Sequence, residues 1–244
     1  MLKLVVRNYQ HSRDSLKIKK NHSCRDFMIE TWFPTSIYSS ILNPPRQIQS
    51  DMIEYVDKFL MKNQEHLKSN ITGDIFNDYA IHTKDEFAWL NWQILQACNQ
   101  YLESLGVDTS LISIYAQKSW PVVCNKKSGF VAPHCHKNAV LSAVYYLKCS
   151  SESGGTLTFD TPNVSFDYLP LKFKHNQLSY KSCTYVPVEN GLILFPSNLT
   201  HGVDKYNASD HRYSVSYDLV VCSNYVDNDN ENTILDPSRW TKLS

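Results

Sequence analysis

His134 and His136 stand one residue apart in "PHCHKNAVLSAVYYL", just ahead of a run of β-branched and aromatic residues. Alternate residues of an extended chain point to one side, so the two imidazoles can converge on one point while Cys135 faces away. Such a pair is either the beginning of a metal site or two turn histidines bonded to water and backbone, and a third ligand decides between these. His201 is the candidate: it follows the strand-like "GLILFP" in "GLILFPSNLTHGV", and an antiparallel barrel can bring it opposite His136. Three donors on one side with open positions opposite them make a catalytic metal centre, and imidazole suits ferrous iron. Arg212 heads the alternating run "RYSVSYDL", where Arg212, Ser214 and Ser216 share one face and Tyr213, Val215 and Tyr217 the other. An arginine on a buried polar face requires a counter-anion, and its planar fork matches a carboxylate, so an acid bound inside the fold is the expected partner.

The elements that must position these residues are mostly strands. After Gly106 the chain breaks into short β-rich stretches, "SLISIYAQ", "PVVCN", "VLSAVYYLK", "GTLTFD", "TYVPV", "GLILFP" and "RYSVSYDLVV", with no regular helix between them. This predicts a mainly β fold, an antiparallel jelly roll. Two helices precede it, at about 46–68 and 85–105, and are expected to pack on one sheet. Their apolar stripes are Ile48, Met52, Val56, Phe59 and Leu60, then Leu90, Ile94, Leu95, Cys98, Tyr101, Leu102 and Leu105. Pro44 and Pro45 punctuate the start of the first, and Gly106 the end of the second. Trp89, Trp92 and Trp120 are expected in the core, and His175 and His211 on the surface or in loops. The stretch 163–183 reads as a long loop over the barrel mouth and a candidate lid. Residues 1–27 are expected to form an extension, 28–223 one domain, and 224–244 a polar, loosely attached tail.

Composition excludes more than it assigns. Lys plus Arg equal Asp plus Glu at 24 each, so there is no electrostatic footprint for nucleic acid or an anionic membrane. No apolar run approaches the roughly 20 residues that span a bilayer. Seven cysteines, an odd number without CxxC spacing, argue against a disulfide framework or a structural zinc site. They are expected to be buried thiols in a reducing, cytoplasmic setting. An oligomer is left open.

From "PHCH" through "SAVYYL", "GGTLTF" and "GLILFPSNLTHGV" to "RYSVSYDL", the sequence resembles the 2-oxoglutarate (2OG) and Fe(II)-dependent oxygenases, in their prolyl-hydroxylase-like branch. It is similar to a microbial and phage subgroup with the fingerprint P-H-x-H, S-G-V-Y-Y, F-P-S-x-x-x-H, R-x-S-x-S. The resemblance implies a double-stranded β-helix, with N-terminal helices against one sheet. It also implies Fe(II) and 2OG as cofactors, and a dioxygenase that hydroxylates a small-molecule or protein substrate with release of succinate and CO2. It assigns His134 and His201 as metal ligands and Arg212 to the far carboxylate of 2OG. Tyr146, Ser142, Ser214 and Ser216 are assigned to the co-substrate pocket, and no catalytic residue beyond the metal centre is implied. His136 stands where most of the superfamily has aspartate or glutamate. It is retained as third ligand, with Asp160 in "GGTLTFDTP" as the alternative. Three neutral histidines would leave the metal a charge of about plus two instead of plus one, which favours a dianionic co-substrate. Two other readings are a cupin-like metalloenzyme without 2OG, suggested by "PVENG" before His201, and a non-catalytic jelly-roll binding protein.

Overall fold

The computed structural model describes residues 34–62, 79–124, 129–150, 154–162, 180–224 and 234–243. The fold below is that of the unit Ser36–Ser244. The expected extension 1–27 and His175 lie outside the described residues.

Strands β1 (Tyr38–Ile41), β2 (Ile112–Cys124), β3 (Val131–His134), β4 (Leu141–Lys148), β5 (Leu157–Asp160), β6 (Ser182–Tyr185), β7 (Gly191–Pro196), β8 (His201–Val203) and β9 (Arg212–Ser223) form two antiparallel sheets. One has the order β1-β7-β4-β9-β2 and the other β3-β8-β5-β6. This is the double-stranded β-helix. The stretches "SLISIYAQ" and "PVVCN", expected as two strands, are one 13-residue strand, interrupted only by a register shift between Ala116 and Lys118. Pro121 is accommodated because β2 is the edge of its sheet, where a missing N–H costs no ladder bond. Of the loop expected at 163–183, residues 163–179 lie outside the described residues, while Ser182 and Cys183 begin β6, paired to β5.

The inner strands are buried on both faces, which is why they read as nearly continuous apolar runs. Leu141, Ala143, Tyr145 and Leu147 of β4, Leu192 and Leu194 of β7, and Tyr213, Val215, Tyr217 and Leu219 of β9 face the helices. Their alternates Tyr146, Ile193 and Phe195 join Leu157, Phe159 and Leu199 between the sheets. The helices α1 (Arg46–Lys62) and α2 (Ala88–Ser104) cover the outer face of the five-stranded sheet, as expected. The predicted continuation of α1 to 68 lies outside the described residues. Two β9 tyrosines fasten this layer: the Tyr213 hydroxyl donates to Asp57 Oδ1 at 2.6 Å and that of Tyr217 to Asn91 Oδ1 at 2.9 Å. Each such bond contributes roughly 1 kcal/mol and fixes the strand that carries Arg212.

Helix α2 ends as the sequence predicts. Gly106 sits at φ 85°, where its N–H bonds Glu103 O and that of Val107 bonds Leu102 O, the paired bonds of a Schellman motif. Leu105, expected in the buried stripe, is 51% exposed because this turn rotates it off the sheet, and Ala97 takes a place in the stripe. Trp92, expected in the core, is 58% exposed on the opposite helix face, while Trp120 is buried. The cysteines do not share one fate: Cys98, Cys124 and Cys222 are buried, Cys135 and Cys149 half-buried, and Cys183 exposed. Near the C-terminus, Ser223 N–H donates to Ile234 O and Tyr115 OH to Asp236, so residues 234–236 are fastened at the β2–β9 edge. Among the described residues no helix is long and apolar enough to cross a membrane.

Candidate active site

A cavity of about 580 Å³ opens between the sheets, and it holds the three histidines at one end and Arg212 at the other. His134 is the last residue of β3 and pairs directly with His201, the first residue of β8. His136 is two residues beyond β3, its position set by a backbone bond from its N–H to Ser197 O at 2.8 Å. The ligand atoms of His134, His136 and His201 all lie within 4.8 Å of one another, and no other His, Cys, Asp or Glu of the described residues joins the group.

Each ring has one nitrogen already committed. Nδ1 of His134 is 2.9 Å from Ala132 O, that of His201 is 2.8 Å from Leu199 O, and that of His136 contacts the Asp218 carboxylate. Carbonyl and carboxylate oxygens only accept, so Nδ1 is the donor in each contact and Nε2 is the nitrogen left to face a metal. Three imidazoles with free Nε2 atoms, one donor site each, fit a divalent metal with coordination positions to spare. Asp160, the alternative third ligand, lies outside the group. Phe159 packs toward the His201 ring at 6.0 Å, so the next residue along β5 points to the opposite face.

Burial pushes the His201 imidazole down to about 4, reinforced by His134 and His136 and partly offset by its bond to the Leu199 carbonyl. The ring is therefore neutral, and fit to bind a metal, across the physiological range. A histidine with a depressed folded value binds fewer protons folded than unfolded, so its contribution favours folding above about 6.5 and is lost as pH falls toward 4. Metal-free protein should lose up to about 3 kcal/mol of stability over that window through this residue. Thermal midpoints measured from pH 7.5 to 4.5 should show the loss, and His201→Gln should flatten the profile.

Arg212 is 1% exposed. Its NH1 donates to Gly155 O at 2.5 Å, its NH2 to Cys124 Sγ at 3.0 Å, and its Nε is buried without a partner. The rings of Tyr146 and Tyr206 flank the guanidinium at 5.6 and 5.7 Å. Among the described residues no carboxylate forms an ion pair with it. A buried guanidinium left so is costly unless an anion completes it. Tyr146, whose hydroxyl burial pushes up to about 12, stays neutral beside it. Ser142, Ser214 and Ser216 line the same cavity, so the residues assigned to the co-substrate converge there.

Residues 118–218 match the sequence model of the family described as "Putative 2OG-Fe(II) oxygenase". Over that stretch, which holds the three histidines and Arg212, the chain is similar to this family. No curated protein matches the sequence. AviO1 from Streptomyces viridochromogenes Tue57 shares the fold, with 9% identity, a TM-score of 0.54, and coverage of 76% of this chain and 90% of that one. A Pseudomonas putida prolyl-4-hydroxylase is similar at 14% identity and a TM-score of 0.48 over 76% and 89% of the two chains. A Burkholderia pseudomallei oxidoreductase of the 2OG-Fe(II) oxygenase family aligns at 14% identity and a TM-score of 0.35, over 49% of this chain and about half, 50%, of that one.

Asp218 is a residue of the candidate site that motif and spacing leave unassigned. It lies two positions beyond Ser216 on the face of β9 that carries Arg212, Ser214 and Ser216, so the alternation that placed those residues also places it. Burial raises its carboxyl, but the hydrogen bond and charge of His136 and the charge of Lys118 outweigh this and hold it below the usual carboxylate range. Trp120 packs 5.8 Å from the His136 ring, and Lys118 Nζ lies 4.4 Å above the Trp120 ring.

Proposed function

We propose that His134, His136 and His201 hold Fe(II), that Arg212 binds the far carboxylate of 2OG, and that the oxygenase hydroxylates a small-molecule or protein substrate at the open side of the cavity. The observation that carries this reading is one cavity with a three-imidazole cluster at one end and, at the other, a buried arginine that no carboxylate of the described residues pairs with. Iron and 2OG, when bound, supply coupled decarboxylation to succinate and CO2 and insertion of one oxygen atom from O2 into a substrate C–H bond.

The chain supplies position and exclusion of water. Arg212 offers Nε–H and its remaining N–H groups to a carboxylate in a fork that Gly155 O and Cys124 Sγ hold in orientation. Gly155 is required there: a Cβ on it would come within 2.6 Å of Arg212 NH1, and its φ of +69° disfavours any other residue. Tyr146 and Phe195 wall the cavity with apolar surface, so ionic contacts inside it are little screened. The free thiols of the described residues suit a reducing cytoplasm.

Anaerobic titration of the Fe(II)-loaded protein with 2OG tests this reading through the visible metal-to-ligand charge-transfer band. The band should appear in wild type, vanish in His136→Ala, and persist in His136→Asp, which supplies the carboxylate usual at that position. Wild type that binds metal without developing the band would favour the cupin-like or non-catalytic reading.

A further inference from the structure

We infer that Asp218 is a positioning residue that supplies, through His136, the negative charge missing from an all-histidine metal site. The inference rests on the metal assignment above but adds a residue that is not itself a ligand. In the usual arrangement of two histidines and a carboxylate, the charge sits on the metal; here it sits one residue further out, behind the imidazole.

Four contacts define the role. The Nδ1–H of His136 donates to Asp218 Oδ1. Ser142 Oγ donates to the same oxygen at 3.2 Å, and Ser197 in turn donates to Ser142 Oγ at 2.9 Å. Lys118 Nζ reaches Oδ2 at 3.3 Å. Asp218 is 4% exposed, so little water screens it, and its cross-strand partner in β4 is Ser142 itself. The carboxylate is thus pinned by both neighbouring strands with one oxygen aimed at His136. Among the described residues neither His134 nor His201 has such a partner; both donate to neutral backbone carbonyls. Of the three histidines, the one at the position of the missing carboxylate is the one that a carboxylate of the described residues backs.

A carboxylate accepting from a metal-bound imidazole fixes the ring and raises its basicity, and loss of such a partner typically lowers metal affinity by about 10- to 100-fold. Lys118 works in the opposite sense by offsetting part of the Asp218 charge. Orientation and charge can therefore be separated. In Asp218→Asn the amide oxygen still accepts from Nδ1–H, so the ring stays oriented while the charge is lost; in Lys118→Met the charge of Asp218 is enhanced.

The test is metal affinity of the purified full chain for Co(II), measured by chelator competition together with the Co(II) ligand-field spectrum and the thermal midpoint of the metal-free protein. The expected result is a loss of about 10- to 100-fold in Asp218→Asn, a gain in Lys118→Met, and an unchanged coordination spectrum in both. Asp218→Asn affinity within twofold of wild type would overturn the inference. So would parallel losses in both variants tracking a lowered thermal midpoint, since a merely structural role predicts the same sign for each. Failure of wild type to bind Co(II) would instead refute the metal assignment, and this inference with it.

Discussion

In Arg212→Ala, Fe(II) affinity should stay within a few-fold of wild type while 2OG affinity falls by roughly a hundred- to a few thousandfold. Removing one partner of a buried charge pair costs about 3–5 kcal/mol, and each 1.4 kcal/mol is about a factor of ten in affinity. The effect is selective because Arg212 forms no bond to the three histidines: its contacts are Gly155 O, Cys124 Sγ and the faces of Tyr146 and Tyr206. The free variant should also not be badly destabilised, because a guanidinium that lacks an anion contributes little to folding beyond packing. Arg212→Met, which fills the same volume, controls for the cavity that alanine leaves. Calorimetric titration with 2OG in the presence of saturating metal reads the effect directly. Unchanged 2OG affinity in both variants would remove Arg212 from the carboxylate role.

Much of this site is legible in the chain because strands write their geometry with a period of two. The alternation of "RYSVSYDL" by itself places Arg212, Ser214 and Ser216 on one face, and "PHCH" sets His134 and His136 beside each other. What sequence alone does not reveal is what strand pairing brings from afar. Asp218 shares the alternation but has meaning only beside His136, which is 82 positions away, and Lys118, which lies across the β2–β9 ladder. Cys124 and Gly155 reach Arg212 in the same way, across pairings that no local pattern announces. Helix ends show the complementary limit. Gly106 correctly marks the stop of α2, yet the helical period carries Leu105 into the stripe, although the turn that Gly106 makes takes Leu105 out of it. Continuity fails similarly in β2, where the polar residues around the register shift at Gln117 divide the apolar pattern while the backbone ladder continues through it.

His201→Ala should abolish metal and co-substrate binding together, the opposite signature to Arg212→Ala. Structural Zn(II) sites are worth about 10–16 kcal/mol over four ligands, or roughly 2.5–4 kcal/mol per ligand. Fe(II) lies lower in the affinity order, so a loss of roughly a hundredfold or more is expected on deleting one of three imidazoles. His201 is the ligand whose absence is least easily compensated. Its ring is packed 4.7 Å from that of Phe195 and 4.5 Å from that of His134, it is 6% exposed, and no second donor among the described residues lies in the group. Water admitted into the gap would meet the apolar walls of Phe159 and Phe195 before reaching the metal position. Because 2OG would need both the metal and Arg212 to bind, its affinity should fall with the metal's even though Arg212 is untouched. Metal competition and 2OG titration on the same preparation, with circular dichroism to verify the fold, separate the two cases. Metal retained within a few-fold in folded His201→Ala would mean that the remaining histidines recruit a ligand from elsewhere in the chain, and the three-histidine centre would have to be redrawn.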